Sequence, residues 1–140
     1  MSFACAEIAA RESIPEAQFA NVKHDVSVSV SRVPLLIERA EAGLAAAFPG
    51  VQSYIFGHVG DGNLHYNVGD HSLVQRRAEV NRVVYDVVAS LGGSISAEHG
   101  IGQLKREELA HYKAPLELEL MRRVKAALDP RGLLNPGKVL

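Results

Sequence analysis

Two histidines bracket a turn signal in Gly57-His58-Val59-Gly60-Asp61-Gly62-Asn63-Leu64-His65-Tyr66-Asn67, and a Glu98-His99 pair follows between two glycine clusters. Imidazole nitrogens and a carboxylate are the donors of a zinc-type site, and a His₂Glu set leaves a position open for substrate. If Asp61-Gly62 is a two-residue type I′ loop, His58 stands directly opposite His65. Opposed residues have Cβ atoms about 4.5–5.5 Å apart, within reach of one ion at about 2.0–2.1 Å. Alternation places Asn67 on the face of His65. Successive side chains of extended chain point to opposite faces, so the Glu98-His99 pair divides its labour, Glu98 as third ligand and His99 as a general base beside it.

The remaining histidines, His24, His71 and His111, read as solvated or locally bonded side chains. Arg11 and Lys23 are cations able to clamp a carboxylate, although spacing alone does not single them out. Asp61 and Asn63 read as turn chemistry, and Asn135-Pro136-Gly137-Lys138 as a turn in an exposed tail. Gly100-Ile101-Gly102 opens like a dinucleotide fingerprint, but Lys105 stands where the third glycine is required, which removes a Rossmann reading.

These side chains must be held by a folded frame, and the composition supplies one. A chain of 140 residues with 47% hydrophobic and 22% charged residues reads as one globular domain over 1–140. Fifteen Lys+Arg against sixteen Asp+Glu leave no basic stripe for nucleic acid. Cys5 is the sole cysteine, so neither an internal disulfide nor a cysteine-built cluster is possible, and a cytoplasmic setting is expected. Glu7 and Arg11 interrupt any leading apolar run, and no membrane span is expected.

Residues 1–13 read as the end of a helix running into Pro15. Residues 22–30 alternate with period two, Val22, His24, Val26, Val28 and Val30 against Lys23, Asp25, Ser27 and Ser29, as a strand with one buried face. A helix capped at Ser31 follows, with Val33, Leu36, Ile37, Ala40, Leu44, Ala47 and Phe48 as its apolar stripe and Pro49-Gly50 as its stop. Residues 51–58 and 63–68 form the hairpin. Ser72 and Gln75 signal the cap of a second long helix buried through Leu73, Val80, Val84, Val87, Val88 and Leu91 and ended by Gly92-Gly93. A short strand over 94–97, a third helix over 100–110 and a fourth opened by Pro115 complete the chain. Leu116, Leu120, Met121, Val124 and Leu128 of the fourth are expected to face inward. The order predicts an α+β fold, a ferredoxin-like antiparallel sheet with helices packed on one face.

Three ordered motifs carry a resemblance: residues 57–65 above, Gly92-Gly93-Ser94-Ile95-Ser96-Ala97-Glu98-His99-Gly100-Ile101-Gly102, and Asp129-Pro130 through Asn135-Pro136-Gly137-Lys138. From about residue 11 to 140 the chain closely resembles the C-terminal domain of FAD-linked oxidases, a group that includes D-lactate dehydrogenases, D-2-hydroxyglutarate dehydrogenase and the D subunit of glycolate oxidase. The resemblance implies that His58, His65 and Glu98 bind Zn²⁺ or Mn²⁺, which grips the substrate's 2-oxygen and carboxylate, and that His99 is the general base. It implies substrate contacts from Arg11, Lys23 and Asn67, and places Asn135 and Lys138 toward the flavin. Pro15 stands where relatives can carry a hydroxyl residue, a departure that bears on substrate choice. The implied reaction moves the hydroxyl proton of a 2-hydroxy acid to His99 and hydride from C2 to FAD. By the same resemblance the FAD-binding domain is missing, so FAD is expected from a flavin-bearing partner chain, or the chain self-associates through the surface left uncovered. Activity without a flavin domain is not expected. Two other readings use the same ligands: a non-catalytic ferredoxin-like module that binds metal or carboxylate, and a metal-dependent hydrolase.

Overall fold

The computed structural model describes residues 7–8, 21–69 and 71–140. They fall into two compact units divided after Glu98, the first ending there and the second spanning His99–Leu140. Arg11, Pro15 and Cys5 lie outside the described residues.

In the first unit four antiparallel strands, β1 (Glu7–Ile8), β2 (Asn21–Ser27), β3 (Gln52–His58) and β4 (Asn63–Gly69), form one sheet in the order β1-β3-β4-β2. The helix expected over 1–13 is replaced at Glu7–Ile8 by strand pairing, which satisfies the edge of β3 at Gly57 and His58. Helix α1 (Val33–Ala47) connects β2 to β3, and β4 lies between those two strands, the split arrangement of a ferredoxin-like α+β fold. Helix α2 (Arg77–Ser90) follows β4. Where the fourth strand was expected, Ser94 makes a single antiparallel bridge to Ser27, with amide bonds of 3.0 and 2.8 Å. Pairing stops there because the Ser94 hydroxyl turns onto the Ser96 backbone, a local alternative to the ladder.

Period-two alternation sorts the sheet. Val22, His24 and Val26 of β2 and Leu64, Tyr66 and Val68 of β4 are buried toward the helices, where Leu36, Ala40 and Leu44 of α1 and Val80, Val84 and Val88 of α2 complete the core. His24 belongs to this face as its place in the alternation indicated, but it is not the solvated or locally bonded side chain expected: it is buried, and its partners are distant in the chain. Its Nδ1 lies 2.8 Å from the Tyr66 carbonyl, its Nε2 lies 3.1 Å from Asn81 Oδ1, and its ring meets Tyr85 edge-on. Helix α1 starts without the expected Ser31 cap. Ser31 sits in a 3₁₀ turn (Val30–Arg32), and Pro34 in the first turn of α1 pre-sets the backbone. Helix α2 likewise starts later than the Ser72 signal, after 3₁₀ turns over His71–Arg76.

The second unit holds α3 (Arg106–Tyr112) and α4 (Pro115–Leu128). The third helix cannot begin at Gly100 as expected, because Gly100 and Gly102 both take left-handed backbone. The expected inward face of α4 is also corrected. Leu118 is buried, Met121 is half-buried, and Leu116, Leu120, Val124 and Leu128 are exposed. The tail is tied down rather than loose: the Val139 amide donates to Gly102 O at 2.7 Å, and Lys138 Nζ to Gln103 Oε1 at 3.0 Å. Among the described residues no helix is long and apolar enough to cross a membrane.

Candidate functional site

The face of the sheet turned away from α1 and α2 carries three rows of cross-strand neighbours. Lys23, Asn67 and Tyr54 form the first row, Asp25, His65 and Phe56 the second, and Ser27, Asn63 and His58 the third. Lys23, Asn67, His65 and His58 therefore share one face; the alternation predicted this for Asn67, His65 and His58, and the pairing of β2 with β4 adds Lys23.

The hairpin register differs from expectation. The turn is not the two-residue Asp61-Gly62 loop but a 3₁₀ turn over Val59–Asp61 closed by Gly62, so His58 pairs with Asn63 and His65 with Phe56. The cause is tertiary. The Val28 amide, leaving β2, donates to Gly62 O at 3.0 Å, and a Cβ on Gly62 would stand 1.9 Å from Val28 O. Gly62 also sits at φ +67°, so this close approach and this backbone conformation both require glycine. The correction moves the partner of His58 by two residues, which preserves the face. The two imidazoles are diagonal neighbours, a pairing with Cα separations of about 7–8 Å, still within the reach of long side chains.

Glu98 enters this face from the segment after the Ser94 bridge. The Ala97 amide donates to Asp25 O at 3.3 Å, and the Glu98 amide donates to the Asp25 carboxylate at 2.9 Å (Oδ2) and 3.2 Å (Oδ1). Glu98 Oε1 accepts a hydrogen bond from Asn63 Nδ2, and Oε2 lies 3.9 Å from His65 Nε2. His65 packs its ring against Phe56, with centroids 5.0 Å apart. The structure thus brings His65 and Glu98 together, with His58 on the same face but exposed. Among the described residues no three of His, Cys, Asp and Glu converge closely enough to hold a metal.

The donor types themselves, imidazole and carboxylate, are ones a divalent ion takes. Two donors on one tetrahedral zinc, each at about 2.0–2.2 Å, stand roughly 3.4 Å apart, about half an ångström less than the 3.9 Å between His65 and Glu98. Asn63 Oδ1 is buried without a hydrogen-bond partner among the described residues, directly beside this pair. A buried orphan acceptor costs about 1–3 kcal/mol and calls for a reason. A site that admits a further donor supplies one.

Two residues of this site were missed from sequence. Asn63, read as turn chemistry, is 5% exposed and begins β4; Asp25 is 2% exposed. Both were signalled only by period-two parity with Lys23 and His65. His99 and Asn135 belong to the second unit. His99 is exposed, one peptide bond beyond Glu98, and Asn135 occupies a turn at φ +47° whose carbonyl accepts the Lys138 amide.

The family model for "FAD linked oxidases, C-terminal domain" matches residues 3–139. The chain is 41% identical over 123 residues to a D-2-hydroxyglutarate dehydrogenase of Stutzerimonas stutzeri, covering 84% of this chain and 26% of that protein. It is 40% identical over 136 residues to a mitochondrial D-2-hydroxyglutarate dehydrogenase of Bos taurus (94% and 25%). It is also 40% identical over 120 residues to a probable mitochondrial D-lactate dehydrogenase of Danio rerio (83% and 24%). The chain spans about a quarter of the length of these relatives.

Proposed function

Because this chain belongs to the family of FAD-linked oxidase C-terminal domains, we propose that it is the substrate- and metal-binding part of a FAD-dependent 2-hydroxy-acid dehydrogenase. The observation that supports this reading most directly is one sheet face carrying Lys23, Asn67, His65 and His58, with Glu98 reaching it.

A 2-hydroxy acid presents a carboxylate next to a hydroxyl-bearing carbon. Lys23 binds the carboxylate as a point charge, and Arg11 adds a second cation for it. Asn67, opposite Lys23, orients the same end through its amide. His58, His65 and Glu98 would hold the divalent ion, zinc or manganese, which when bound supplies Lewis acidity at the substrate oxygen. His99 takes the hydroxyl proton. FAD, held by a flavin-bearing domain or partner chain with Asn135 on this chain's side, supplies the two-electron acceptor. A reducing, cytoplasmic setting and a flavin-bearing partner chain or self-association belong to the same reading. The relatives named for D-2-hydroxyglutarate and for D-lactate differ in whether the substrate carries a second carboxylate, and Pro15, where relatives can carry a hydroxyl residue, removes one side-chain hydrogen bond bearing on substrate choice.

The test is metal content by elemental analysis of the chain beside His65→Ala and Glu98→Ala. Stoichiometric metal in the parent and little in either variant is expected. A folded parent that takes up neither zinc nor manganese, or variants that keep the parent's metal, would overturn the reading.

A further inference from the structure

We propose that Asp25 and Asn63 are positioning residues that fix Glu98 as a one-oxygen donor beside His65, an inference that rests on the reading of His65 and Glu98 as partners on one ion. The two groups hold Glu98 at opposite ends. The Asp25 carboxylate, 2% exposed and directly cross-strand from His65, receives the Glu98 amide with both oxygens, while its own carbonyl receives the preceding amide of Ala97. The backbone of residue 98 is thereby tied to the strand that neighbours His65, the two partners standing 73 positions apart in the chain.

At the other end Asn63 settles which oxygen is available. Its Nδ2 donates to Oε1, leaving Oε2 as the oxygen 3.9 Å from His65 Nε2. Asn63 is itself immobilised, 5% exposed at the start of β4, between Ser27 and His58 in its row. A carboxylate on a half-exposed side chain with several rotatable bonds would otherwise sample many orientations. Hydrogen bonds to the far side of a ligand orient it and are worth about 10–100-fold in metal affinity.

The experiment is titration of the full chain with Co²⁺, read by visible absorption and by competition with Zn²⁺, for the parent, His65→Ala, Glu98→Ala, Asp25→Asn, Asp25→Ala and Asn63→Ser. Far-UV circular dichroism is recorded alongside, and His111→Gln serves as a surface control. Asp25→Asn keeps an acceptor and Asn63→Ser keeps a polar group too short to reach Oε1, so both test positioning with the least disturbance of packing. Cobalt binding about 10–100-fold weaker in Asn63→Ser and Asp25→Ala, with Asp25→Asn between them and the parent, is expected. An altered absorption band in Asn63→Ser, where Oε1 is freed, is also expected. Parent-like affinity and spectrum in the Asp25 and Asn63 variants, while His65→Ala and Glu98→Ala lose cobalt, would overturn the positioning role and leave the metal reading standing. Cobalt binding that is absent from the parent, or that survives His65→Ala and Glu98→Ala, would overturn both.

Discussion

Helices α1 and α2 of the first unit bury whole stripes, Val33, Leu36, Ala40 and Leu44 on one and Val80, Val84, Tyr85 and Val88 on the other, whereas α4 of the second unit buries Leu118 and leaves Leu116, Leu120, Val124 and Leu128 in solvent. All three carry helical periodicity, so the difference is in what stands opposite. A sheet face of Val22, Val26, Leu64, Tyr66 and Val68 gives the first pair something to pack on. Helix α4 leans instead on short-range polar devices. Lys125 Nζ meets Asp129 at 2.5 Å, and the same carboxylate accepts the amides of Leu133 and Leu134 at 2.9 Å each. Pairs at four-residue spacing join Glu119 to Arg123 and Lys113 to Glu117. Helical periodicity records a capacity for burial, and tertiary partners decide whether it is used. The candidate site sits on the unit whose frame is held by packing, where side chains need fixed positions to work together.

The sharpest way to break this comparison is to delete the same atoms in both units. Leu36→Ala removes a fully buried side chain and is expected to cost about 2–5 kcal/mol. Leu120→Ala, half exposed, should stay within about 0.5 kcal/mol. Urea unfolding of the two variants measures both, and equal costs would show that α4 is packed in solution. Glycines give the next test. Gly62 and Gly100 have similar left-handed backbone, φ +67° and +74°, but a Cβ at Gly62 meets Val28 O whereas one at Gly100 meets nothing within 4 Å. Gly100→Ala should cost about 1–2 kcal/mol from backbone strain alone, and Gly62→Ala clearly more in the same unfolding assay.

The units should also respond to opposite ends of the pH scale. In the second unit Lys125, with the backbone amides of Leu134 and Leu133 assisting against burial, holds the Asp129 carboxyl down at about 2 from an ordinary 3.8. A lowered carboxylate stabilises the fold above the ordinary value and loses that stabilisation as pH falls through 3.8 toward 2. Asp129→Asn should therefore flatten the acid limb of stability measured between pH 5 and pH 2. In the first unit burial pushes the Tyr66 phenol up to about 12, against a smaller lowering from Ser53. Its contribution is present below pH 10 and is lost as pH rises from 10 through 12, an alkaline limb that Tyr66→Phe should remove. Spectrophotometric titration of tyrosinate checks the same group. The smallest effect is expected at the α4 surface, where Glu119→Gln breaks the exposed pair with Arg123 for about 0.3–0.5 kcal/mol, and less in high salt.

Much of the frame was legible in the residues. The alternation of Lys23, Asp25 and Ser27 against Val22, His24 and Val26 gave the faces of β2 correctly, and the spacing of Leu36, Ala40 and Leu44 gave the buried stripe of α1. The hairpin was legible in existence and parity but not in register, because Asp61-Gly62 alone permits a two-residue loop and only Val28, arriving from another strand, selects the 3₁₀ turn. The strand expected over 94–97 failed for a local reason, the Ser94 hydroxyl competing for the backbone. The third helix failed for another, glycines at 100 and 102 in the left-handed region.

The sequence by itself determined which residue types the sheet presents on each side, since a period of two assigns every side chain of a strand to one face once a single buried position is known. It therefore determined that Asn67, His65 and His58 keep company, and the family motifs around them identified the C-terminal domain of FAD-linked oxidases; that Lys23 joins them follows from the pairing of β2 with β4. Only the tertiary structure decided that Glu98 stands beside His65, that Asp25 and Asn63 hold it there, and that most of the apolar stripe of α4 goes uncovered. The placement of Glu98 depends on contacts between residues 35 and 73 positions apart. Local propensity and periodicity carry no information about which distant segments meet; that is settled by how the packed faces close against one another.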